Sequence, residues 1–154
     1  MIPYGRHSIT STDIDEVVNV LENEFLTQGG KVPLFESKLS EYTGALHTTV
    51  VNSATSALHL AYLALGVSVG DTVWTSPITY VATANAARMC GAAVDFVDVD
   101  ESTLNLCPQS LERKLVQAKK ENRLPKVVTP VHMCGNSCEM QEIKQLSEIF
   151  GFKI

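Results

Sequence analysis

The chain has 154 residues, and 12 Lys and Arg against 17 Asp and Glu give it a formal net charge of −5. This length suits one domain with a sizeable core, and no basic stripe points to a nucleic-acid or anionic-membrane surface. The apolar runs are too short for a membrane span, and the first residues lack the apolar segment of a signal peptide. The four cysteines suggest free thiols. We therefore expect a cytoplasmic protein with neither nucleic-acid nor membrane partners.

The first part of the chain predicts two helices. An apolar stripe with helical spacing follows a predicted cap at Thr12 and Asp13. A glycine pair at 29–30 breaks this helix, and a second helix is expected from Val32 or Pro33 to Gly44. The stripe of the first helix consists of Ile14, Val17, Val18, Leu21 and Phe25.

From His47 onward, short apolar strands alternate with helices. This alternation is typical of right-handed βαβ crossovers and predicts a three-layer α/β fold with a mostly parallel sheet. The predicted strands are 48–51, 72–75, 93–97 and 126–131, with a further strand starting at 152. The predicted helices are 54–65, 80–90, 108–120 and 139–150.

Ligands of open parallel sheets bind at the loops that leave the carboxyl ends of the strands. Thr55 and Ser56 lie in one such loop, where a helix begins. Free N–H groups and the helix dipole suit a phosphate there, but small polar residues at this point also suit ordinary N-capping. Tyr80, in the next loop, either stacks on a flat heteroaromatic ligand or packs half-buried at the sheet edge.

A third loop contains His132, Cys134 and Cys138. These residue types bind zinc, but their spacing does not match a zinc knuckle. Buried thiols and a histidine that orients the loop fit the pattern better, so we predict no metal site.

Together with the segment Leu26-Thr27-Gln28-Gly29, these loops resemble the sugar-nucleotide aminotransferases of the DegT/StrS type. These are pyridoxal-phosphate enzymes with the aspartate-aminotransferase fold (fold type I). The motifs are most similar to the branch that acts in pseudaminic acid biosynthesis. The resemblance implies that residues 47–154 are the first part of a large cofactor-binding domain. It also implies that residues 1–46 form a helical segment that packs on this domain, and that a small C-terminal domain lies outside this chain. The motifs that carry it are 25–29, 52–58, 74–79 and 130–132.

The resemblance implies pyridoxal 5′-phosphate as the cofactor, with its phosphate at Ala54, Thr55 and Ser56 and its ring on Tyr80. It further implies transfer of an amino group from glutamate to C4 of a UDP-linked 4-keto-6-deoxy sugar by a homodimer. The residues expected near the sugar nucleotide are Tyr4, Thr27 and Gln28.

The resemblance also implies that two catalytic groups lie beyond Ile154. These are the lysine that forms the Schiff base and the acid that pairs with the pyridinium nitrogen. We therefore expect this chain alone to be inactive and to bind the cofactor weakly or not at all. Two alternatives stay open: a non-catalytic interaction or regulatory protein built on the same sheet, and part of a related sugar dehydratase or deoxygenase that lacks the lysine.

Overall fold

The structure, a computed structural model, describes residue 2 and residues 5–154. The chain divides into two compact units, residues 1–50 and residues 51–154. Each unit is described below by itself. In the described residues, no helix combines the length and the apolar character that a membrane crossing requires.

The first unit contains two helices, α1 (Ser11–Asn23) and α2 (Lys31–Thr43). Thr10 caps α1: its hydroxyl accepts from the Asp13 N–H at 3.4 Å, and the Asp13 carboxylate accepts from the Thr10 N–H at 2.7 Å. The predicted cap at Thr12 and Asp13 is therefore wrong, because Asp13 is the acid of a capping box that begins three residues earlier. Helix α2 ends as predicted at Gly44, whose φ of 73° favours glycine.

The strand predicted at 48–51 does not form. The Val50 N–H donates to the carboxylate of Glu36 at 2.8 Å, and the hydroxyls of Thr48 and Ser40 lie 2.7 Å apart. Side chains of α2 thus form hydrogen bonds with this segment in place of a neighbouring strand. Apolar β-branched residues favour a strand only where another strand is available for pairing.

The second unit closely follows the predicted order of elements. All seven α-helices and strands of this unit lie within two residues of their predicted bounds, because periodicity and Gly or Pro boundaries agree in this region. The helix predicted at 80–90 and the strand predicted at 126–131 differ most from their observed bounds. The elements are α3 (Ala54–Ala64), β1 (Thr72–Thr75), α4 (Ala82–Met89), β2 (Ala93–Phe96), α5 (Pro108–Lys120), β3 (Val127–Thr129) and α6 (Met140–Phe150). Of the last predicted strand, Lys153 makes one parallel bridge to Val127.

The three strands form a parallel sheet in the order β2-β1-β3. Successive side chains of a strand point to opposite faces, so Val73 packs with α3 and α4, whereas Trp74 packs with α5 and α6. The predicted three-layer α/β fold with a parallel sheet is confirmed.

The path of the chain creates a crevice at one edge of this sheet. From the central strand β1 the chain passes through α4 to β2 on one side, and then through α5 to β3 on the other side. The loops that leave β1 and β3 therefore diverge toward opposite faces, since α4 and α6 belong to different layers. Such a switch point is where ligands bind in open α/β sheets.

Helix α3 points its first turn at the same edge. The Nζ of Lys126, just before β3, donates to the Gly66 carbonyl at 2.5 Å and to the Asp71 carboxylate at 2.8 Å. The C-terminal end of α3 therefore lies at the amino edge of the sheet. Eleven helical residues span roughly 16 Å, which brings Ala54 to the carboxyl edge.

The buried face of α6 yields a first test. Ile143 is fully buried, whereas Ile149 on the same helix is 65% exposed. We expect Ile143→Ala to lower the free energy of unfolding by about 2–5 kcal/mol, because it removes apolar contacts and leaves a cavity. The matched control Ile149→Ala should change it by less than about 0.5 kcal/mol. Urea unfolding monitored by the fluorescence of Trp74, the single tryptophan, measures both, and equal effects would contradict this core.

The ion pair at the amino edge predicts a pH dependence. Lys126 lowers the pKa of Asp71 by its hydrogen bond, so the pair stabilises the fold above the ordinary carboxyl pKa and stops doing so as pH falls through the lowered value. The destabilisation by Lys126→Met should therefore be constant above about pH 5. It should shrink as the pH falls below 3.8, the ordinary pKa of the carboxyl. The part that persists in acid belongs to the bond with Gly66.

The control for this experiment is Lys144→Met. Lys144 lies 3.9 Å from Glu148 on the exposed side of α6, and such pairs contribute little. Its effect on urea unfolding should be small at every pH. An effect of Lys126→Met that stays constant down to acid pH would refute the role of Asp71.

Candidate active site

The first turn of α3 combines a cap with free donors. The Ser53 hydroxyl accepts from the Ser56 N–H at 3.2 Å and caps the helix. The N–H groups of Ala54 and Thr55 find no hydrogen-bond partner among the residues that the structure describes. Two free N–H groups at the positive end of a helix suit an anion. Ser53 therefore acts as an ordinary N-cap, and the N–H groups of Ala54 and Thr55 stay available to an anion.

The two hydroxyls of this turn differ in availability. The Ser56 hydroxyl donates to the Asn52 side chain at 2.8 Å and lies 3.0 Å from the Ser53 hydroxyl. The Thr55 hydroxyl makes no such bond within the described part of the chain. A ligand thus meets a free donor at Thr55, whereas Ser56 must give up Asn52 to bind it.

The ring of Tyr80 lies open at the next loop. It is 78% exposed, just before α4. Half-buried packing of this tyrosine, one of its two predicted roles, is therefore not observed. A free aromatic face at the carboxyl edge of the sheet is available to stack on a flat ring.

A buried network of hydroxyls lies under this edge. The Tyr62 phenol donates to the Thr83 carbonyl at 3.1 Å and lies 2.9 Å from the Thr129 hydroxyl. The phenol has a single proton, so Thr129 is the donor in the second bond. The Thr75 hydroxyl donates to the Thr129 carbonyl at 2.8 Å. These bonds join α3, α4, β1 and β3, and burial raises the pKa of Tyr62 so that it stays protonated.

The loop that leaves β3 is held by hydrogen bonds between its own residues. The Cys138 N–H donates to Nδ1 of His132 at 3.1 Å, and the Cys138 thiol donates to the Val131 carbonyl at 3.1 Å. Burial raises the pKa of the Cys138 thiol, which makes it a poor source of thiolate. In the described residues, no three His, Cys, Asp or Glu side chains lie together in a way that suits a metal.

A buried amide, absent from our expectations, holds the same loop. Asn105 is 4% exposed and bonds to three backbone groups between 133 and 137. The sequence signal was faint: an asparagine between two leucines in a polar connection.

The expected sugar-nucleotide residues lie in the first unit or outside the described residues. Thr27 and Gln28 belong to the turn between α1 and α2, where Gln28 has a φ of 56°. Tyr4 lies outside the described residues. Their contact with a sugar nucleotide stays a prediction.

Comparison with known proteins identifies the family. The model of the DegT/DnrJ/EryC1/StrS aminotransferase family matches residues 7–154. The chain belongs to this family. The resemblance of the four motifs is thereby confirmed.

One relative is the UDP-4-amino-4,6-dideoxy-N-acetyl-beta-L-altrosamine transaminase of Campylobacter jejuni, serotype O:2. It is 44% identical over 154 residues, which are all of this chain and 40% of the relative. The chain thus spans about two fifths of the length of the curated relatives that it matches.

Solved structures of the family agree with the fold. Helicobacter pylori PseC, an aminotransferase involved in the biosynthesis of pseudoaminic acid, gives a TM-score of 0.86 at 31% identity and is matched by 97% of this chain over 39% of its own length. Spr1654 of Streptococcus pneumoniae in its PLP form gives 0.83 at 32% identity, with coverages of 94% and 36%. The parallel α/β unit is therefore part of the aminotransferase fold.

The buried hydroxyl network predicts that replacement by phenylalanine destabilises the fold at Tyr62 but not at Tyr80. Tyr62→Phe should lower the free energy of unfolding by about 1–2 kcal/mol, because a buried donor and acceptor are lost. Tyr80→Phe removes the same atom from an exposed ring and should stay within about 0.5 kcal/mol of the wild type. Urea unfolding compares the two, and a neutral Tyr62→Phe would show that the network does not support the edge.

Proposed function

We propose that this chain provides the cofactor-binding edge of a pyridoxal-phosphate-dependent sugar-nucleotide aminotransferase. The observation that carries the proposal is the first turn of α3, where a family aminotransferase fold presents unpaired donors at the carboxyl edge of its sheet. Family membership and the chemistry of this turn support it independently.

The donor set fits a phosphate monoester. The free N–H groups of Ala54 and Thr55 and the free Thr55 hydroxyl are three donors within one helical turn. A phosphate offers three acceptor oxygens, and hydrogen bonds to an anion are stronger than neutral ones. No lysine or arginine lies within 52–58, so the helix dipole and the backbone meet the charge.

Tyr80 supplies the second contact in this proposal. Its exposed ring lies at the start of the connection from β1 to α4, and an aromatic face packs well on a pyridine ring. When it is bound, pyridoxal phosphate supplies the electron sink for the exchange of the amino group. The residues of this chain bind and orient it. We propose that the chain alone binds the cofactor weakly through these contacts, and its expected inactivity in amine transfer stays a prediction.

The substrate proposal rests on the names of the relatives. The Campylobacter relative is a UDP-4-amino-4,6-dideoxy-N-acetyl-beta-L-altrosamine transaminase, and PseC acts in the biosynthesis of pseudoaminic acid. We propose that the whole protein transfers an amino group from glutamate to C4 of a UDP-linked 4-keto-6-deoxy sugar, as a homodimer. Thr27, Gln28 and Tyr4 are the proposed contacts with the sugar nucleotide.

The α3 turn can be tested by removal of one backbone donor. Ala54→Pro deletes the N–H of the first helical residue, a position that tolerates proline, and the extended backbone of Ser53 suits a following proline. The variant should keep the fold but weaken pyridoxamine 5′-phosphate about tenfold, because a bond to a charged oxygen is lost. Shifts of the amide signals of residues 54–57 during an NMR titration of the full chain measure the affinity.

Two hydroxyl variants complete this experiment. Thr55→Ala should weaken the same ligand about as much as Ala54→Pro, whereas Thr43→Ala, at the end of α2, should leave its affinity within about twofold. Pyridoxamine 5′-phosphate is the probe because its amine forms no adduct with surface lysines. Unchanged binding by both Ala54→Pro and Thr55→Ala would rule out the α3 turn as the phosphate site.

A further inference from the structure

The loop after β3 is held by a clamp that Asn105 completes. Its Nδ2 donates to the carbonyls of Asn136 at 3.0 Å and Ser137 at 3.1 Å, and its Oδ1 accepts from the Met133 N–H at 3.0 Å. Both amide protons and the amide oxygen are therefore used on backbone groups of one loop. An amide buried to this degree and fully bonded fixes the loop in one conformation.

The clamp sustains a strained backbone. Cys134, inside the loop, has φ 51° and ψ 29°, a left-handed conformation that costs a residue with a side chain on the order of 1 kcal/mol. Met133 and Asn136, on either side, are the residues that Asn105 bonds. Strain that the surroundings enforce is found most often where a loop must present a group to a ligand.

The presented group is the imidazole of His132. Its Nδ1 accepts a hydrogen bond from the Cys138 N–H, so the neutral ring carries its proton on Nε2. Cys138 is 5% exposed, and its thiol donates to the carbonyl of Val131, the residue before His132. This bond holds the backbone from which the His132 ring extends. His132 is exposed, and no described residue accepts from its Nε2.

His132 also lies at the right place in the fold. It follows the last residue of β3, Thr129, by three positions and belongs to the loop that leaves the carboxyl end of β3. Tyr80 lies in the loop that leaves the carboxyl end of β1. A free donor with a fixed tautomer thus lies at the same edge of the sheet as the proposed cofactor site.

We propose that Asn105 and Cys138 hold His132 as an Nε2–H donor that binds an oxygen atom of the ligand at this crevice. The proposal rests on the proposed function. The acceptor is an anionic or carbonyl oxygen, which either the pyridoxal cofactor or the sugar nucleotide offers. Asn105 acts as a positioning residue, since it touches the loop and not the ligand.

The first experiment measures the tautomer in the free chain. Long-range ¹H–¹⁵N correlation spectra distinguish a protonated from an unprotonated ring nitrogen, and His132→Gln assigns the signals among the four histidines. We expect protonated Nε2 in the wild type and exchange between both tautomers in Asn105→Ala. Gln145→Ala, an exposed amide on α6, should leave the pattern unchanged. A wild-type ring protonated on Nδ1 overturns the proposal, whether or not Asn105→Ala folds.

The second experiment adds pyridoxamine 5′-phosphate and, in a separate titration, UDP-N-acetylglucosamine to the full chain. We expect one of them to shift the Nε2–H signal of His132, which identifies the source of the oxygen. His132→Phe should weaken that ligand about tenfold, whereas His47→Phe, in the first unit, should leave its affinity within about twofold.

The outcomes separate the two proposals. If the amides of residues 54–57 respond to pyridoxamine 5′-phosphate and neither ligand affects His132, the donor role is wrong and the proposed function stands. If neither those amides nor His132 respond to pyridoxamine 5′-phosphate, the cofactor site is wrong, and the donor role survives only through a response to UDP-N-acetylglucosamine. If His132 responds to neither ligand, the donor role is overturned.

Discussion

The pairing of β1 on both of its sides is the constraint on which the second unit depends. Thr72–Thr75 hydrogen-bonds with β2 on one side and with β3 on the other, and in both pairs the strands are parallel. Parallel neighbours require crossover connections, and these are right-handed. Because the connection through α4 and the connection through α5 run in opposite directions across the sheet, the two helices cover opposite faces. The crevice at the carboxyl edge is the direct consequence, because the loops after β1 and β3 then have to diverge.

The Tyr62 network makes that edge rigid. Tyr62 comes from α3, the helix that also provides the proposed phosphate turn, and its phenol reaches α4 and the end of β3. A displacement of α3 along its axis would break both bonds and leave buried polar groups unpaired, which is costly. The position of Ala54 and Thr55 is therefore fixed relative to the strands through the contacts that Tyr62 makes from the third turn of the same helix.

The sequence predicted local features and missed long-range ones. Helix α5 is predicted to the residue because Pro108 marks its start and an apolar stripe fixes its length. The strand at 48–51 is wrong because a strand depends on a distant partner, whereas its competitor, Glu36, is supplied by the preceding helix. The bonds of Tyr62 and Asn105 join residues 21 to 67 positions apart, and no local pattern indicates them. The phosphate turn could be proposed because its chemistry lies within one short segment.

The proposed site binds an anion without a charged side chain among its assigned residues. Ala54 and Thr55 offer backbone donors, Tyr80 offers an aromatic face, and His132, in the proposed role, offers its Nε2–H. Lysine or arginine would attract any anion over several ångströms, whereas hydrogen bonds demand an acceptor at a defined distance and angle. The rigidity of the edge and the clamp on His132 then have a common purpose. With neutral donors, affinity depends on exact placement, so the fold has to fix each donor before the ligand arrives.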